Sequence, residues 1–445
     1  MHFRQLITLL LRVKTKIEVQ GIRNTLSIIL HQLSIAIQKK EALFTGEASK
    51  SIELKKLQPI YPIILEGLKY QAETLSCVDS ALSTQQKPTN FIWLVPYFSK
   101  GSGGHKNLFR FINFLELFGC KCTIYIVAEH DLFTSPQEIK NQINEYFEII
   151  NADVKIYNVS EKYEKTDVVV STSWITAYAS LKIDADLKVY FVQDYEPLFY
   201  ASGSLFHLAK NTYDFGYYHI TIGKWLTHLL RTKHSAQADY YNIVLEKDKY
   251  YPRKNITSRK VKLLPDNQSF NVCFYARNMT ERRCFELVVM GLYLFSEKAE
   301  NINIISYGWD RIPSLPFKCN HLGMLSVDEL AELYSVCDVC IAPSSTNLSL
   351  VAHEVMACGC VLMDLDVDST TFDLAHLSNS YLVKPDPNSI CEGLLDLYND
   401  RKLLKQIKDN SLQYISELED WNYQGQVFYN LIKNKFTEII SNVSC

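Results

Sequence analysis

The fold class is decided by residues 91–118, which read FIWLVPYFSKGSGGHKNLFRFINFLELF. An apolar run without polar alternation, 91–97, leads through a glycine-rich turn into a stretch with helical apolar spacing, 105–118. A strand that is apolar on both faces and is followed at once by a helix is typical of a parallel sheet covered by helices. The stretch therefore predicts an α/β domain.

The same alternation of strands and helices continues along the chain and restarts once, near Phe270. The restart predicts two doubly wound, Rossmann-like domains, with a ligand in the cleft beyond the carboxyl ends of their strands. Strands are predicted at 91–97, 122–127, 154–157, 167–171, 188–193 and 219–222, then at 271–276, 303–307, 339–342, 361–365 and 381–383. Helices are predicted at 105–118, 284–298, 327–336, 350–358 and 389–398.

The length of 445 residues agrees with two large domains and an appendage. We place a helical N-terminal extension at 1–85, the first domain at 86–250 and the second at 251–425. A C-terminal helix at 426–445 is expected to pack back on the first domain. The balance of 46 basic and 49 acidic residues leaves a net charge of −3, so no overall field would hold nucleic acid, and we expect no such partner.

Cysteine usage and hydropathy indicate the compartment. Twelve cysteines are scattered over a long chain, which favours a reducing cytosol over a disulfide scaffold. Cys337, Cys340, Cys358 and Cys360 have spacings that a zinc site would also use, but their apolar neighbours favour buried thiols. No apolar run approaches the roughly 18 residues of a membrane span, and the first residues do not resemble a signal peptide. We therefore expect a cytoplasmic protein.

The N-terminal extension is basic and amphipathic. Leu6, Leu10, Val13 and Ile17 have helical spacing, a second periodic stretch follows at 26–37, and the first forty residues hold seven Lys or Arg against one acid, Glu18. Such helices lie on anionic membrane surfaces in some proteins. The alternative is an arm that packs on its own domain or on a second subunit of a homodimer. The pattern fits both, and we favour the packing arm.

A glycine-rich loop follows the first strand. Gly103 and Gly104 permit close backbone approach to a ligand, and His105 stands where the helix begins. The loop lacks the Gly-Lys-Ser/Thr ending of a Walker loop and the G-x-G-x-x-G spacing of a dinucleotide site. A plain strand-to-helix turn is the alternative.

Two further loops follow strands of the second domain. In 275–283, YARNMTERR, Arg277 and Arg282 can hold a diphosphate, or the loop can be a solvated turn that pairs with Glu281 and Glu286. In 342–359, APSSTNLSLVAHEVMACG, a hydroxyl-rich loop begins a helix whose first amides can bind phosphate. The alternative for each loop is an ordinary turn or cap. A common position at the cleft favours one shared ligand.

These motifs resemble those of a known family, the retaining glycosyltransferases of the GT-B fold. Arg277 and Arg282 match the family's basic pair, and 354–359, EVMACG, matches the helix that ends its Glu-x7-Glu motif. A closer likeness is to the WsaF-like rhamnosyltransferases, through 191–197 FVQDYEP, 220–226 ITIGKWL and 274–277 FYAR. The resemblance spans about residues 90–430. Thr346 stands where the family has its first glutamate, and Gln193-Asp194 stands where many relatives have His-Asp.

The resemblance implies a site. Asp194, Arg277 and Arg282 would be catalytic, with the arginines on the diphosphate and Asp194 on the acceptor hydroxyl. Donor-binding residues would be Gly103, Gly104, Arg277, Arg282, His321, Gly323, Leu325, Thr346, Asn347, Leu348 and Glu354. Acceptor-binding residues would be His105, Gln193, Tyr195 and Glu196. The arginines and the amides would neutralise the diphosphate, so we expect no metal at Asp364, Asp366 and Asp368, although Asp-x-Asp sequences hold metals in other transferases.

The resemblance also implies the reaction. We expect transfer of a sugar, with rhamnose from dTDP-rhamnose favoured and the anomeric configuration retained, to a growing bacterial cell-surface polysaccharide. No cofactor is expected beyond the donor substrate, and the acceptor saccharide would be free or lipid-linked, with the extension touching the membrane in the second case. Two other classes stay open: a non-catalytic nucleotide-sugar-binding partner of another transferase, and a dinucleotide-dependent oxidoreductase, which the glycine spacing disfavours.

Overall fold

The computed structural model describes residues 60–74, 87–128, 134–262 and 269–443. The two periodic stretches of the N-terminal extension, with Leu6, Leu10, Val13, Ile17 and the seven basic residues, lie outside these ranges. In the described residues, no helix is long and apolar enough to cross a bilayer.

The first sheet has seven parallel strands, in the order β3-β2-β1-β4-β5-β6-β7. Its strands are β1 (Asn90–Pro96), β2 (Lys121–Val127), β3 (Asp153–Ile156), β4 (Thr166–Ser171), β5 (Ala185–Val192), β6 (Tyr218–Ile222) and β7 (Ala238–Tyr241). The helices along this part of the chain are α1 (Tyr61–Thr74), α2 (Gly103–Leu117), α3 (Pro136–Tyr146), α4 (Trp174–Ser180), α5 (Ser204–Asn211) and α6 (Lys224–His234). Two 3₁₀ turns, Glu196–Phe199 and Thr212–Asp214, flank α5.

The second sheet has six parallel strands, in the order β10-β9-β8-β11-β12-β13. Its strands are β8 (Phe270–Tyr275), β9 (Ile302–Tyr307), β10 (Asn320–His321), β11 (Val339–Ile341), β12 (Val361–Leu365) and β13 (Tyr381–Val383). The helices are α7 (Arg259–Lys262), α8 (Phe285–Ser296), α9 (Val327–Val336), α10 (Leu350–Ala357), α11 (Asp368–Thr371), α12 (Pro387–Asn399), α13 (Arg401–Glu417) and α14 (Trp421–Val443), with a 3₁₀ turn at Glu281–Arg283.

Both sheets are doubly wound, as the sequence predicted. Each begins in its middle, at β1 and at β8, runs outward to one edge and then returns to build the other side. Strands such as β4 are buried at every position, because helices cover both faces of the sheet. The predicted α/β architecture is confirmed, and the strand order places one switch point between β1 and β4 and the other between β8 and β11.

Two short strands were missed by the sequence prediction. β7 has four residues and β10 has two, and neither is an uninterrupted apolar run. Five predicted strands also end one residue too late, at Tyr97, Tyr157, Gln193, Ala276 and Ala342. Three of these residues, Gln193, Ala276 and Ala342, already belong to loops after β5, β8 and β11. These are loops of the site described below.

The last helix, α14, packs on the first sheet although it follows the second along the chain. The Phe428 ring lies 4.6 Å from Phe111, 5.6 Å from Phe191 and 6.1 Å from Trp93, measured between ring centroids. The α1 helix also packs on the first domain, against α4, where Gly67 leaves so little space that a Cβ there would lie 2.2 Å from the Tyr178 carbonyl oxygen. Both ends of the described chain therefore belong to the first domain.

Ten cysteines lie in the described residues, and all are free thiols. Cys337, Cys340, Cys358 and Cys360 are buried, and burial raises the pKa of Cys360 to about 12. Within the described ranges, no group of three or more His, Cys, Asp or Glu residues could hold a metal ion. These four cysteines fill the core between strands and helices.

Candidate active site

The cleft lies between the carboxyl edges of the two sheets, where the loops of both domains meet. The Thr346 hydroxyl donates a hydrogen bond to Asp194 Oδ2 at 3.0 Å, and the Asn347 side-chain amide donates to the Gln193 carbonyl oxygen at 3.1 Å. These bonds join the loop that follows β5 to the loop that precedes α10. Ligands of doubly wound sheets bind at such edges, beside the switch points.

Three arginines cluster in the loop after β8. The Arg277 guanidinium donates to the Tyr275 hydroxyl at 2.9 Å, and that of Arg282 lies 4.6 Å from the centre of the Phe199 ring, which belongs to the first domain. Burial lowers the pKa of Arg282, and the neighbouring charges of Arg283 and Arg277 lower it further, against Asp194. Like charges held this close in a partly buried site favour an anionic ligand.

The loop before α10 is tied to the arginine loop. The Ser345 backbone N–H donates to the Arg282 carbonyl oxygen at 3.0 Å, and the Ser344 N–H donates to Asp364 Oδ1 at the same distance. Because β8 and β11 are adjacent in the sheet, these bonds hold Arg282 beside the start of α10. Thr346, Asn347 and Leu348 are buried in this loop. The N-terminal end of a helix and its first amides carry partial positive charge, which adds to that of the arginines.

Asp194 projects between the two domains. Its Oδ1 accepts the Tyr195 backbone N–H at 2.8 Å, and its Oδ2 lies 3.5 Å from Arg282 Nε, beside the Thr346 hydroxyl. Burial raises the pKa of Asp194, while Arg282 and the hydrogen bonds from Thr346 and Tyr195 lower it. A carboxylate in this position can accept a proton from a substrate hydroxyl.

The glycine-rich loop faces Gln193. The Gln193 side-chain amide donates to the Gly104 carbonyl oxygen at 3.0 Å, and a Cβ on Gly104 would lie 3.4 Å from that amide nitrogen. His105 has other partners: its Nδ1 pairs with the Ser102 hydroxyl at 2.8 Å and its Nε2 with the Pro96 carbonyl oxygen at 3.2 Å. Both ring nitrogens of His105 therefore have hydrogen-bond partners within the loop. His105 stabilises the loop and does not bind the acceptor, in contrast to the prediction.

Glu196 also leaves the acceptor set, because it is buried. Its Oε2 accepts the Trp174 backbone N–H at 2.6 Å and the Tyr190 hydroxyl at 3.2 Å, so the side chain closes the start of α4. Burial raises the pKa of Glu196 to about 8. The Tyr195 hydroxyl pairs with His234 Nε2 at 3.0 Å and its ring stacks on Tyr213. Both residues anchor the loop that presents Gln193 and Asp194.

Glu354 lies one turn into α10 and faces the segment that joins the two sheets. Burial raises its pKa to about 7, against a hydrogen bond with Tyr250 and the charge of Lys106, both of which lower the pKa. Lys106 itself pairs with Glu246 of the joining segment at 2.5 Å. Glu354 is therefore close to both domains and to the cleft.

The segment between β9 and α9, which includes β10, contains three of the predicted donor-binding residues, His321, Gly323 and Leu325. His321 Nδ1 pairs with the Ser306 hydroxyl at 2.9 Å, and a Cβ on Gly323, which has a φ of 66°, would lie 2.9 Å from Asp310 Oδ1. Leu325 packs partly buried against the core. Trp309 was not among the predicted site residues, yet its ring is 38% exposed and lies 5.7 Å from the Arg277 guanidinium. Its position two residues after a predicted strand was the available signal.

The acidic sequence Asp364-Leu365-Asp366 does not form a cluster. Asp364 is buried, and its Oδ1 accepts the backbone N–H groups of Ser344 and Leu365 at 3.0 and 2.7 Å. Burial raises the pKa of Asp364 to about 7. Asp366 and Asp368 are exposed. Asp364 therefore holds the loop of Thr346 and Asn347 in place through its hydrogen bond from the Ser344 N–H.

Two family models match this chain, one in the part with the first sheet and one in the part with the second. The family model described as WsaF, N-terminal domain matches residues 128–224, and the model described as WsaF, C-terminal domain matches residues 270–395. A curated relative is the O-antigen biosynthesis protein RfbC of Myxococcus xanthus, which is 26% identical over 361 residues and 79% of this chain. The match covers 28% of the length of that relative.

Solved structures of other proteins share the fold. Anabaena Alr3699/HepE in complex with UDP and glucose has a TM-score of 0.58 at 12% identity, over 77% of this chain and 98% of its own. Sucrose-phosphate synthase from Thermosynechococcus elongatus has a TM-score of 0.59 at 13% identity, over 79% and 100% of the two chains. The predicted GT-B fold is thereby confirmed.

Proposed function

The chain belongs to the WsaF family, and from this premise we propose that it is a glycosyltransferase that builds a cell-surface polysaccharide. It would transfer a sugar from a nucleoside diphosphate donor to a saccharide acceptor. The likeness to a protein of O-antigen biosynthesis supports the polysaccharide product. The GT-B neighbour bound to UDP and glucose supports a donor of the nucleoside diphosphate class.

The observation that carries the proposal is the cluster of Arg277, Arg282 and Arg283 beside the start of α10. Transfer of a sugar from such a donor breaks the bond between the anomeric carbon and the diphosphate, so negative charge grows on the leaving group. Guanidinium groups and helix amides fixed at that point stabilise the transition state more than the ground state.

The domains would divide the work. The second domain would hold the donor: the base beside Trp309 and His321, the ribose on Glu354, and the diphosphate on Arg277, Arg282 and the amides of Asn347 and Leu348. The first domain would present the acceptor through Gln193 and Asp194. Gly103 and Gly104 line the approach opposite Gln193, where their missing side chains leave space.

The family resemblance favours rhamnose from dTDP-rhamnose as the donor, with retention of configuration. A lipid-linked acceptor would give the basic N-terminal extension a use at an anionic membrane, and a homodimer would give it a packing partner. These finer assignments extend the proposal and rest on the sequence.

The test is turnover of labelled nucleotide sugars by the purified full chain, after a thermal-shift screen that includes dTDP-rhamnose and UDP-glucose. Transfer of label to a saccharide would support the proposal, and transfer that survives EDTA would support neutralisation by arginine without a metal. A chain that binds a donor tightly yet never transfers or hydrolyses it would instead be a non-catalytic binding partner. A change in nicotinamide fluorescence on titration with a dinucleotide would instead favour an oxidoreductase.

A further inference from the structure

The Thr346 hydroxyl makes a hydrogen bond across the cleft to Asp194 of the first domain. The residue is buried, with 2% of its surface exposed, although it lies in a polar loop at the edge of a cleft. Its hydroxyl donates to Asp194, which is 152 residues away in the chain and belongs to the other domain. A buried hydroxyl needs a hydrogen-bond partner, and here the partner is the carboxylate that faces the cleft.

The contacts of Asp194 divide between the two domains. The Oδ1 atom is fixed from its own domain by the Tyr195 N–H, at 2.8 Å. The Oδ2 atom meets the second domain through Thr346 and Arg282, but Arg282 Nε is 3.5 Å away and makes no hydrogen bond in the described structure. Of the two contacts to Oδ2, only the hydroxyl therefore supplies a directional bond, and it sets the rotation of the carboxylate.

We propose that Thr346 is the positioning residue for Asp194, which accepts the proton of the acceptor hydroxyl only when the two domains are together. The inference rests on the proposed function. In the step itself, the acceptor oxygen bonds to the anomeric carbon, the bond to the diphosphate breaks with its electron pair on the leaving oxygen, and the hydroxyl proton passes to Asp194. In this proposal Thr346 acts through Asp194 and does not bind the donor, so it leaves the donor-binding set that the family resemblance implied.

The same geometry explains why a threonine suits this position. A glutamate at 346 would place a second carboxylate against Asp194, and two carboxylates this close disfavour the ionised form of both. The hydroxyl instead stabilises the ionised form of Asp194, which is the form that accepts a proton. In this proposal, Asp194 of the first domain takes the place of the first glutamate of the family's Glu-x7-Glu motif.

The pH dependence of the rate should report on this bond. The charged and titratable groups that face Asp194 are Arg282 and Arg283 from the second domain, and Glu196 and Tyr213 from its own. Thr346→Val keeps the shape and removes the hydroxyl, so the acidic limb of the kcat profile should move to higher pH. We expect kcat to fall on the order of tenfold to a hundredfold, the range for a hydrogen bond to a charged group, with KM for the donor unchanged.

A double-mutant cycle makes the test specific. Thr346→Val should cost nothing further in an Asp194→Asn background, and Thr346→Ser should restore the wild-type acidic limb. Additive losses, or a Thr346→Val profile that matches the wild type, would overturn the inference. Calorimetric binding of the nucleoside diphosphate checks that each variant is folded. A wild-type chain without turnover on any donor would sink the proposed function itself, which is a different result from additivity.

Discussion

At the residue scale, the arginine cluster governs the leaving group. Arg277→Ala and Arg282→Ala should each weaken binding of a nucleoside diphosphate by about 1.5–3 kcal/mol, the usual worth of a hydrogen bond to a charged group. Stability should change little, since both side chains lie in a loop at the cleft. Isothermal titration calorimetry with the diphosphate gives the affinity directly.

Arg401→Ala is the matched control for this prediction. Arg401 lies at the amino edge of the same sheet, where it pairs with Asp338 and covers the ring of Phe270, the first residue of β8. The control should lose some stability and keep its diphosphate affinity. Equal losses of affinity in all three variants would mean that the effect is one of overall charge.

Trp309 offers a spectroscopic test of where the base binds. Trp93, Trp174 and Trp225 are buried, whereas Trp309 is 38% exposed. A base stacked on this ring should quench tryptophan emission, while inorganic pyrophosphate, which has no base, should leave the emission unchanged. Trp309→Phe should abolish the response to the nucleotide. Identical quenching in this variant would place the base elsewhere.

The sequence could identify the loops of the site but not the contacts within it. Arg277 was singled out because its loop follows a buried strand at the edge where ligands bind, and Asp194 and Thr346 were singled out through the family resemblance. The bond between Thr346 and Asp194 depends on how two separate domains pack, and no local pattern encodes that. His105 and Glu196 were assigned to the acceptor because the sequence shows neither their burial nor their hydrogen-bond partners, which depend on the tertiary structure.

At the element scale, α1 packs closely on α4 of the first domain. A Cβ at Gly67 would lie 2.2 Å from the Tyr178 carbonyl oxygen, which is backbone and cannot rotate away. Gly67→Ala should therefore separate α1 from α4 and lower the free energy of unfolding by about 1–3 kcal/mol, as overpacking does. Urea denaturation measures the change.

Gly103→Ala is the control for Gly67→Ala. A Cβ on Gly103 would have nothing within 4 Å, so the substitution should leave the urea midpoint unchanged or raise it slightly. An unaltered midpoint for Gly67→Ala as well would show that α1 does not depend on this contact.

Elements with a strong pattern were predicted closely, and weak ones were missed. The bounds of β12 and β13 match the prediction, because each is a short, wholly buried and mainly apolar run, interrupted only by Asp364 in β12. β10, with two residues, is too short to produce any periodicity, and only its pairing with β9 makes it a strand. The ends of strands are set by tertiary hydrogen bonds. This explains why Gln193 and Ala276 lie just beyond the observed strands β5 and β8, although both were predicted to belong to them.

At the scale of the whole molecule, buried carboxyl groups set the response to pH. Burial raises the pKa of Glu196 to about 8 and that of Asp364 to about 7. In the unfolded chain both ionise near pH 4, so between about pH 4 and 8 the native state binds more protons than the unfolded state. The contribution of these two groups to the free energy of unfolding should therefore fall as the pH rises through this range. Burial lowers the pKa of His219 and His353 to about 4, so these two groups contribute in the opposite direction between about pH 4 and 6.5.

One carboxylate acts in the opposite direction. Burial alone would raise the pKa of Glu246, but hydrogen bonds from Lys106 and Lys249 lower it to about 2. Its contribution is present above about pH 4.3 and is lost as the pH falls toward 2. Urea midpoints should fall less steeply between about pH 4 and 8 in Glu196→Gln than in the wild type, because the substitution removes the raised pKa of Glu196. Glu145→Gln, an exposed control on α3, should leave the curve unchanged.

The position of α14 has a consequence for the order in which the chain folds during synthesis. Domains near the N-terminus usually complete their structure first, as they leave the ribosome. Here the aromatic cluster of Trp93, Phe111 and Phe191 is completed only by Phe428, which is translated after the whole second domain. The first domain is thus finished last. A ribosome stalled anywhere before α14 would carry a nascent first domain with an uncovered aromatic face, a natural substrate for chaperones.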